Sequence, residues 1–246
     1  MKLTRRETLT LAAAATVAGV AGFPAIAFAK EGDVLDQARL MAPAGIPDKI
    51  LGNADAKVTV IEYASPTCPH CATFSNEVLG PFKEKYVATG KVKFILRPFA
   101  RNTMDAAIFM LAEAAAKSVD AAAAPAPTDP SAPSAAPVPE GTYSQAAIEA
   151  YENVIATFFK TQQTWGISDK PLDAVKAVAT QLGFSDASFN EALTNQAYFE
   201  AIEKMRDQAL QEFGLEGTPT FYINGKQLTG DKTLDELSAE IDPLVG

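Results

Sequence analysis

VTVIEYASPTCPHC, residues Val58 to Cys71, contains both cysteines of a 246-residue chain and changes its periodicity partway through. Lys57 to Ala64 is rich in β-branched residues and reads as a buried strand. Ser65 and Pro66 are turn residues, and Pro69 suits the first position of a helix, where its missing N–H costs nothing. Phe74, Val78, Leu79, Phe82 and Tyr86 then recur at helical intervals. This predicts a strand, a tight turn and a helix, with Cys68 at or just before the helix N-terminus and Cys71 one turn inside. Strand alternation puts Val58, Val60 and Glu62 on one face and Thr59, Ile61 and Tyr63 on the other. Glu62 therefore lies on an otherwise apolar face, where a carboxylate is costly unless paired or protonated.

Downstream, Gly90 to Pro98 reads as a second strand, which with the first strand and the helix makes a right-handed βαβ unit. Met104 to Ala116 is a strong helix former. Asp120 to Gly141 is dominated by Ala, Pro and Ser, a composition that cannot pack a core and predicts a surface loop. Helical spacing resumes at Ile148, Tyr151, Ile155, Phe158 and Phe159. Further helices are expected over Leu172 to Leu182, Ser188 to Leu193 and Phe199 to Phe213. In Gly217 to Leu228, Asn224-Gly225 between two short extended runs signals a β-hairpin, and Pro219 is acceptable at a strand start. Leu234, Leu237 and Ile241 mark a closing helix. The order predicts an α/β fold, a small sheet domain with a helical domain inserted into it. Residues 51–100 and 201–246 form the two parts of the sheet domain, 30–50 an N-terminal segment, and 101–200 the insertion with its loop at 120–141.

Residues 1–29 read as an export signal rather than as fold. Lys2, Arg5 and Arg6 precede an apolar stretch, and Ala27-Phe28-Ala29 suggests cleavage before Lys30; an uncleaved anchor is the alternative. Thr4-Arg5-Arg6-Glu7-Thr8-Leu9 resembles a twin-arginine signal, with Thr8 where an aromatic residue is usual. Losing Lys2, Arg5, Arg6 and Glu7 with the signal leaves 18 basic and 29 acidic residues, a net charge of −11. Such a chain repels nucleic acid and anionic membrane surfaces. The expected location is the periplasm or another extracytoplasmic space.

A Cys68–Cys71 bridge closes a loop too small to constrain the unfolded chain much, which disfavours a structural staple. A closed zinc site wants about four ligands. The chain has no second cysteine pair, and its one histidine, His70, lies between Cys68 and Cys71. Two thiolates holding monovalent copper remain an alternative. Redox exchange accounts better for the spacing, because a cysteine at a helix N-terminus is favoured as thiolate by free N–H groups and the helix dipole. His70 adds a hydrogen bond or a positive charge beside that thiolate, and Glu62 relays a proton to or from Cys71.

Three features together resemble the DsbA-like branch of the thioredoxin superfamily: VTVIEYASPTCPHC, GTPTFYINGK in the hairpin, and the helical insertion between them. The resemblance covers about Ile50 to Ile241. It implies a thioredoxin-like fold and thiol–disulfide oxidoreductase activity toward unfolded or partly folded exported proteins, with a redox partner for reoxidation and no cofactor. Isomerases of this kind are usually dimers or trimers with an N-terminal assembly segment, and the twenty or so residues between Lys30 and Ile50, with little helical pattern beyond Val34 to Met41, point instead to a monomer. By the same resemblance Cys68 is the exposed nucleophile, Cys71 the buried resolving cysteine, Glu62 the buried acid and Pro219 a cis-proline facing the site. Thr218 offers its backbone to an extended substrate, and Pro69-His70 is the dipeptide of strongly oxidising members. Threonine before the proline also occurs in isomerase and reductase relatives, which keeps that direction of use open. A non-catalytic copper- or peptide-binding module of the same fold is a further alternative.

Overall fold

The computed structural model describes residues 30–123 and 142–246. The expected export signal and all but the first four residues of the expected Ala/Pro-rich loop lie outside the described residues.

Val58–Ala64 forms strand β2, whose seven residues are all buried. Its two edges are paired because β2 is central, and helices cover its faces: the sheet runs β1-β3-β2-β4-β5, with β1 Ile50–Leu51, β3 Val92–Pro98, β4 Thr220–Ile223 and β5 Lys226–Thr229. β2 pairs parallel with β3 and antiparallel with β4, so Glu62 lies opposite Leu96 on one side and Phe221 on the other. The helical run after β2 consists of α2 (Pro69–Thr73) and α3 (Leu79–Phe82), separated and followed by π-helical stretches at Phe74–Val78 and Lys83–Val87. Pro81 falls between those stretches, where its missing N–H leaves the Glu77 carbonyl without its usual donor. The run packs its aromatic stripe on the sheet. Phe74 meets Phe221 edge-on at 4.7 Å, and Phe82 meets Phe94 at 5.8 Å.

The hairpin forms as its turn residues dictate. Asn224 and Gly225 both take positive φ, 46° and 95°, the geometry that joins two strands through two residues. α10 (Leu234–Val245) closes the chain behind a capping box between Thr233 and Glu236.

The insertion comprises α4 (Thr103–Ala123), α5 (Gln145–Lys160), α6 (Gln162–Trp165), α7 (Pro171–Gln181), α8 (Asp186–Leu193) and α9 (Gln196–Gln211). Two expectations change here. Residues 120–123, expected in the loop, continue α4, because Asp120-Ala-Ala-Ala has the helix propensity to extend it before the first proline at Ala124-Pro125. The boundary expected at residue 200 falls inside the uninterrupted α9.

The N-terminal segment, expected to have little helical pattern beyond Val34 to Met41, is tied down. Besides the short helix α1 (Gln37–Leu40), it runs along the outer edge of β5. Gly32 N–H donates to the Gln227 carbonyl, Gln227 N–H to Asp33, and Leu35 N–H to Gly225, which covers an otherwise open sheet edge. Arg97, 1% exposed, holds Asp48 with two N–H donors at 2.8 and 2.7 Å and also reaches the Tyr63 hydroxyl. Lys49 pairs with Glu113 of α4 at 2.8 Å beneath the rings of Tyr143 and Tyr151. Among the described residues, no helix is long and apolar enough to cross a membrane.

Candidate active site

The turn after β2 is closed by Cys68 N–H donating to the Ser65 carbonyl at 2.9 Å, with Pro66 at the position where its fixed φ is already correct. Cys68 is the N-cap of α2 and Pro69 its first residue. Both cysteines are free thiols. The Cys68 Sγ donates to the Thr218 carbonyl at 3.2 Å, and the bond between Thr218 and Pro219 is cis. The hairpin approach thus lies against the helix start, and Pro219, whose carbonyl accepts from Gly230 N–H, is buried.

This arrangement separates the two sulfurs chemically. The Cys68 thiol is lowered from 9.0 to about 5, by hydrogen bonding from Cys71 above all, against its own burial, with the backbone N–H groups of Cys71 and His70 also aimed at it. These are the free donors of a helix N-terminus. Cys71 is pushed well above the ordinary thiol range by burial first, then by its hydrogen bond to Cys68 and the carboxylate of Glu62. One turn of helix therefore holds a thiol that gives up its proton readily and a thiol that keeps its proton.

Glu62 lies beneath them, 1% exposed. Its proton affinity is raised well above the usual carboxylate range, first by burial and then by the Glu152 carboxylate, while Lys83 opposes. Lys83 is itself tied to Glu152 at 2.9 Å, so it answers that carboxylate rather than Glu62. One oxygen of Glu62 is buried without a hydrogen-bond partner, as suits a carboxyl group that holds or passes a proton.

Two expectations are corrected in detail. Cys68, expected to be exposed, is 2% exposed, because its sulfur is covered by the Thr218 carbonyl; the exposed part of the site is Pro69 and His70. The imidazole of His70 meets the Asp231 carboxylate, Nδ1 to Oδ2 at 2.7 Å, on the surface. His70 reaches the thiolate through its backbone N–H. Thr218 is half-buried, and its side chain also hydrogen-bonds toward the Cys68 sulfur, which helps to lower that thiol.

The insertion contributes residues that local sequence patterns did not single out. Asp105, fully buried near the start of α4, accepts from Ser65 Oγ at 2.8 Å, Thr67 N–H at 2.7 Å and Arg101 N–H at 2.9 Å. Arg101 in turn donates to Ser65 Oγ and Thr67 Oγ1. Gln162, buried at the start of α6, donates to the carbonyls of Pro66 and Cys68 at 2.8 and 2.9 Å. Asn102, which caps the backbone N–H groups of Met104 and Asp105, marks a helix start in the sequence. Nothing in the sequence marks Gln162. Among the described residues, no group of three or more His, Cys, Asp or Glu side chains is placed to hold a metal ion.

A family model described as thioredoxin matches residues 46–128 and 124–243. A Rickettsia bellii chain described as a protein-disulfide oxidoreductase is 24% identical over 198 residues, 80% of this chain. The chain spans 64% of that relative's length and 59% of its Rickettsia felis counterpart's. The solved structure of Wolbachia pipientis alpha-DsbA1 is 25% identical and superposes with a TM-score of 0.65 over 81% of this chain and 91% of that one. A protein-disulfide isomerase from Novosphingobium aromaticivorans, 20% identical, shares the fold with a TM-score of 0.61, covering 83% of this chain and 100% of that one. With a cysteine pair at the start of a helix, a cis-proline opposite it and a helical insertion between β3 and β4, the chain belongs to the thioredoxin family and has the DsbA-like form of its fold.

Proposed function

We propose that the protein is an exported, monomeric thiol–disulfide oxidoreductase that donates a Cys68–Cys71 disulfide to unfolded or partly folded exported proteins in the periplasm or another extracytoplasmic space. The observation that carries this reading is the placement of Cys68 at the N-cap of α2 with the backbone N–H groups of His70 and Cys71 aimed at its sulfur, while Cys71 and Glu62 are fully buried behind it. Stabilising the Cys68 thiolate stabilises the reduced enzyme, and a couple whose reduced form is favoured gives its disulfide away.

In this reading a substrate thiolate attacks the Cys68 sulfur of the oxidised enzyme. The S–S bond breaks, and Cys71 leaves with the electron pair. Because Cys71 binds a proton strongly, its thiolate takes one up, with Glu62 as the nearby donor. A second substrate thiolate then attacks the substrate sulfur of the mixed disulfide and releases Cys68 as a thiolate. The substrate dithiol becomes a disulfide and the enzyme disulfide a dithiol. Thr218 and Pro219 present backbone beside Cys68, a setting for strand-like pairing with an extended substrate that reads little of its sequence. Reoxidation falls to a separate partner, a membrane quinone-linked protein or a small-molecule disulfide.

Thr218 before the cis-proline favours the second reading, an isomerase or reductase of the same fold. The equilibrium of the Cys68–Cys71 couple with glutathione separates the two. A potential clearly more oxidising than glutathione is expected, and one near or below it overturns the donor reading.

A further inference from the structure

We propose that Gln162 is a positioning residue through which the inserted helical domain sets the thiolate-stabilising geometry at Cys68. This rests on Cys68 being the nucleophile of the proposed redox couple. The start of α2 has no side-chain cap of its own. Pro69 has no N–H to donate, and the Cys68 carbonyl has one donor from its own helix, Ala72 N–H at 3.1 Å. Gln162 supplies what is missing. One side-chain amide nitrogen bridges the Pro66 carbonyl before the cysteine and the cysteine's own carbonyl, at 2.8 and 2.9 Å.

That bridge fixes the orientation of the peptide plane between Cys68 and Pro69. Everything that stabilises the sulfur depends on that plane, because the His70 and Cys71 N–H groups follow directly from it. A rotation there swings the donors away from Sγ without disturbing the sheet. Gln162 is itself rigidly mounted. Trp165, three residues on and 1% exposed, donates its indole N–H to the Phe158 carbonyl at 2.8 Å. Gly166 lets the turn close, since a Cβ there would come 2.7 Å from the Gln162 carbonyl oxygen. Asp105 and Arg101 hold the loop one step earlier, at Ser65 and Thr67. Gln162 is the contact that reaches the cysteine itself.

The test is Gln162→Leu in the full chain, which keeps most of the volume and removes both donors. The reduced protein is titrated by thiolate ultraviolet absorbance, and the couple is equilibrated with glutathione. The Cys68 titration should move up by about one pH unit, and the equilibrium should shift about tenfold toward retaining the disulfide, about 30 mV. Titration and equilibrium both unchanged in a folded variant overturn the proposal. If Gln162→Leu does not fold, Gln162→Glu decides. Its carboxylate, ionising against two carbonyl oxygens, should add an inflection in the carboxylate range to the pH profile of Cys68 alkylation, and a profile identical to wild type refutes the role. Failure of the wild type to exchange with glutathione counts against the proposed function. The thiolate titration still reports the Gln162 effect in that case, so the two failures are distinguishable.

Discussion

Cys68→Ser, studied in fully reduced protein, removes a thiol whose proton affinity falls on folding, from 9.0 to about 5. Between those values folding releases a proton, so stability from this group is complete above pH 9 and declines by about 1.4 kcal/mol per pH unit as pH falls. It is gone once pH drops below the folded value. At pH 7 the contribution is about 3 kcal/mol, and it belongs to the dithiol form alone. The same energy corresponds to about 60 mV of oxidising power. Wild-type stability by itself will hide this slope, because Glu62 titrates in the opposite sense. The readout is therefore the difference between wild type and Cys68→Ser. Urea unfolding with excess reductant, followed through the buried Trp165, should give a gap that widens from pH 5 to pH 8. A gap that stays constant across that range would refute the argument that the helix start stabilises a thiolate.

Glu62→Gln should show the complementary behaviour. The folded carboxyl binds its proton well above the ordinary range, chiefly through burial, so its contribution is present at low pH and falls about 1.4 kcal/mol per unit as pH rises toward the folded value. The glutamine variant should gain on wild type from pH 5 to pH 7, and unfolding free energies that stay parallel over that interval would sink the assignment. Arg97→Met should cost about 3–5 kcal/mol by leaving Asp48 buried without its partner. Adding Asp48→Leu should recover part of that loss in chemical denaturation, and a double variant as unstable as the sum of the singles would rule out the pairing as the cause.

Much of the chemistry was legible along the chain because it depends on neighbours close in sequence. The strand over Val58–Ala64, the proline at the first helical position and the three-residue spacing of Cys68 and Cys71 place a sulfur at a helix N-terminus, whatever else the protein does. Asn224-Gly225 determined the hairpin because few other residue pairs accept two successive positive φ values. Glu62 could be singled out because a carboxylate in an apolar alternation is conspicuous. The cis bond before Pro219 came from the family resemblance, since local sequence alone is compatible with either isomer.

Other features needed the tertiary structure. Whether a helix start stabilises a thiolate was a matter of local donors, but how those donors are aimed depends on Gln162, 94 residues away along the chain. The partner of His70 is Asp231, 161 residues distant, so the imidazole's engagement could not be read from its place between two cysteines. The burial of Cys68 follows from the Thr218 carbonyl closing over it, and the ordering of the N-terminal segment from an open sheet edge that needed covering. Periodicity and turn chemistry act over a few residues and were determined by the sequence itself. Hydrogen bonds between segments about a hundred or more residues apart carry no local pattern, and only the packing of the insertion and hairpin against the cysteine-bearing helix decided them.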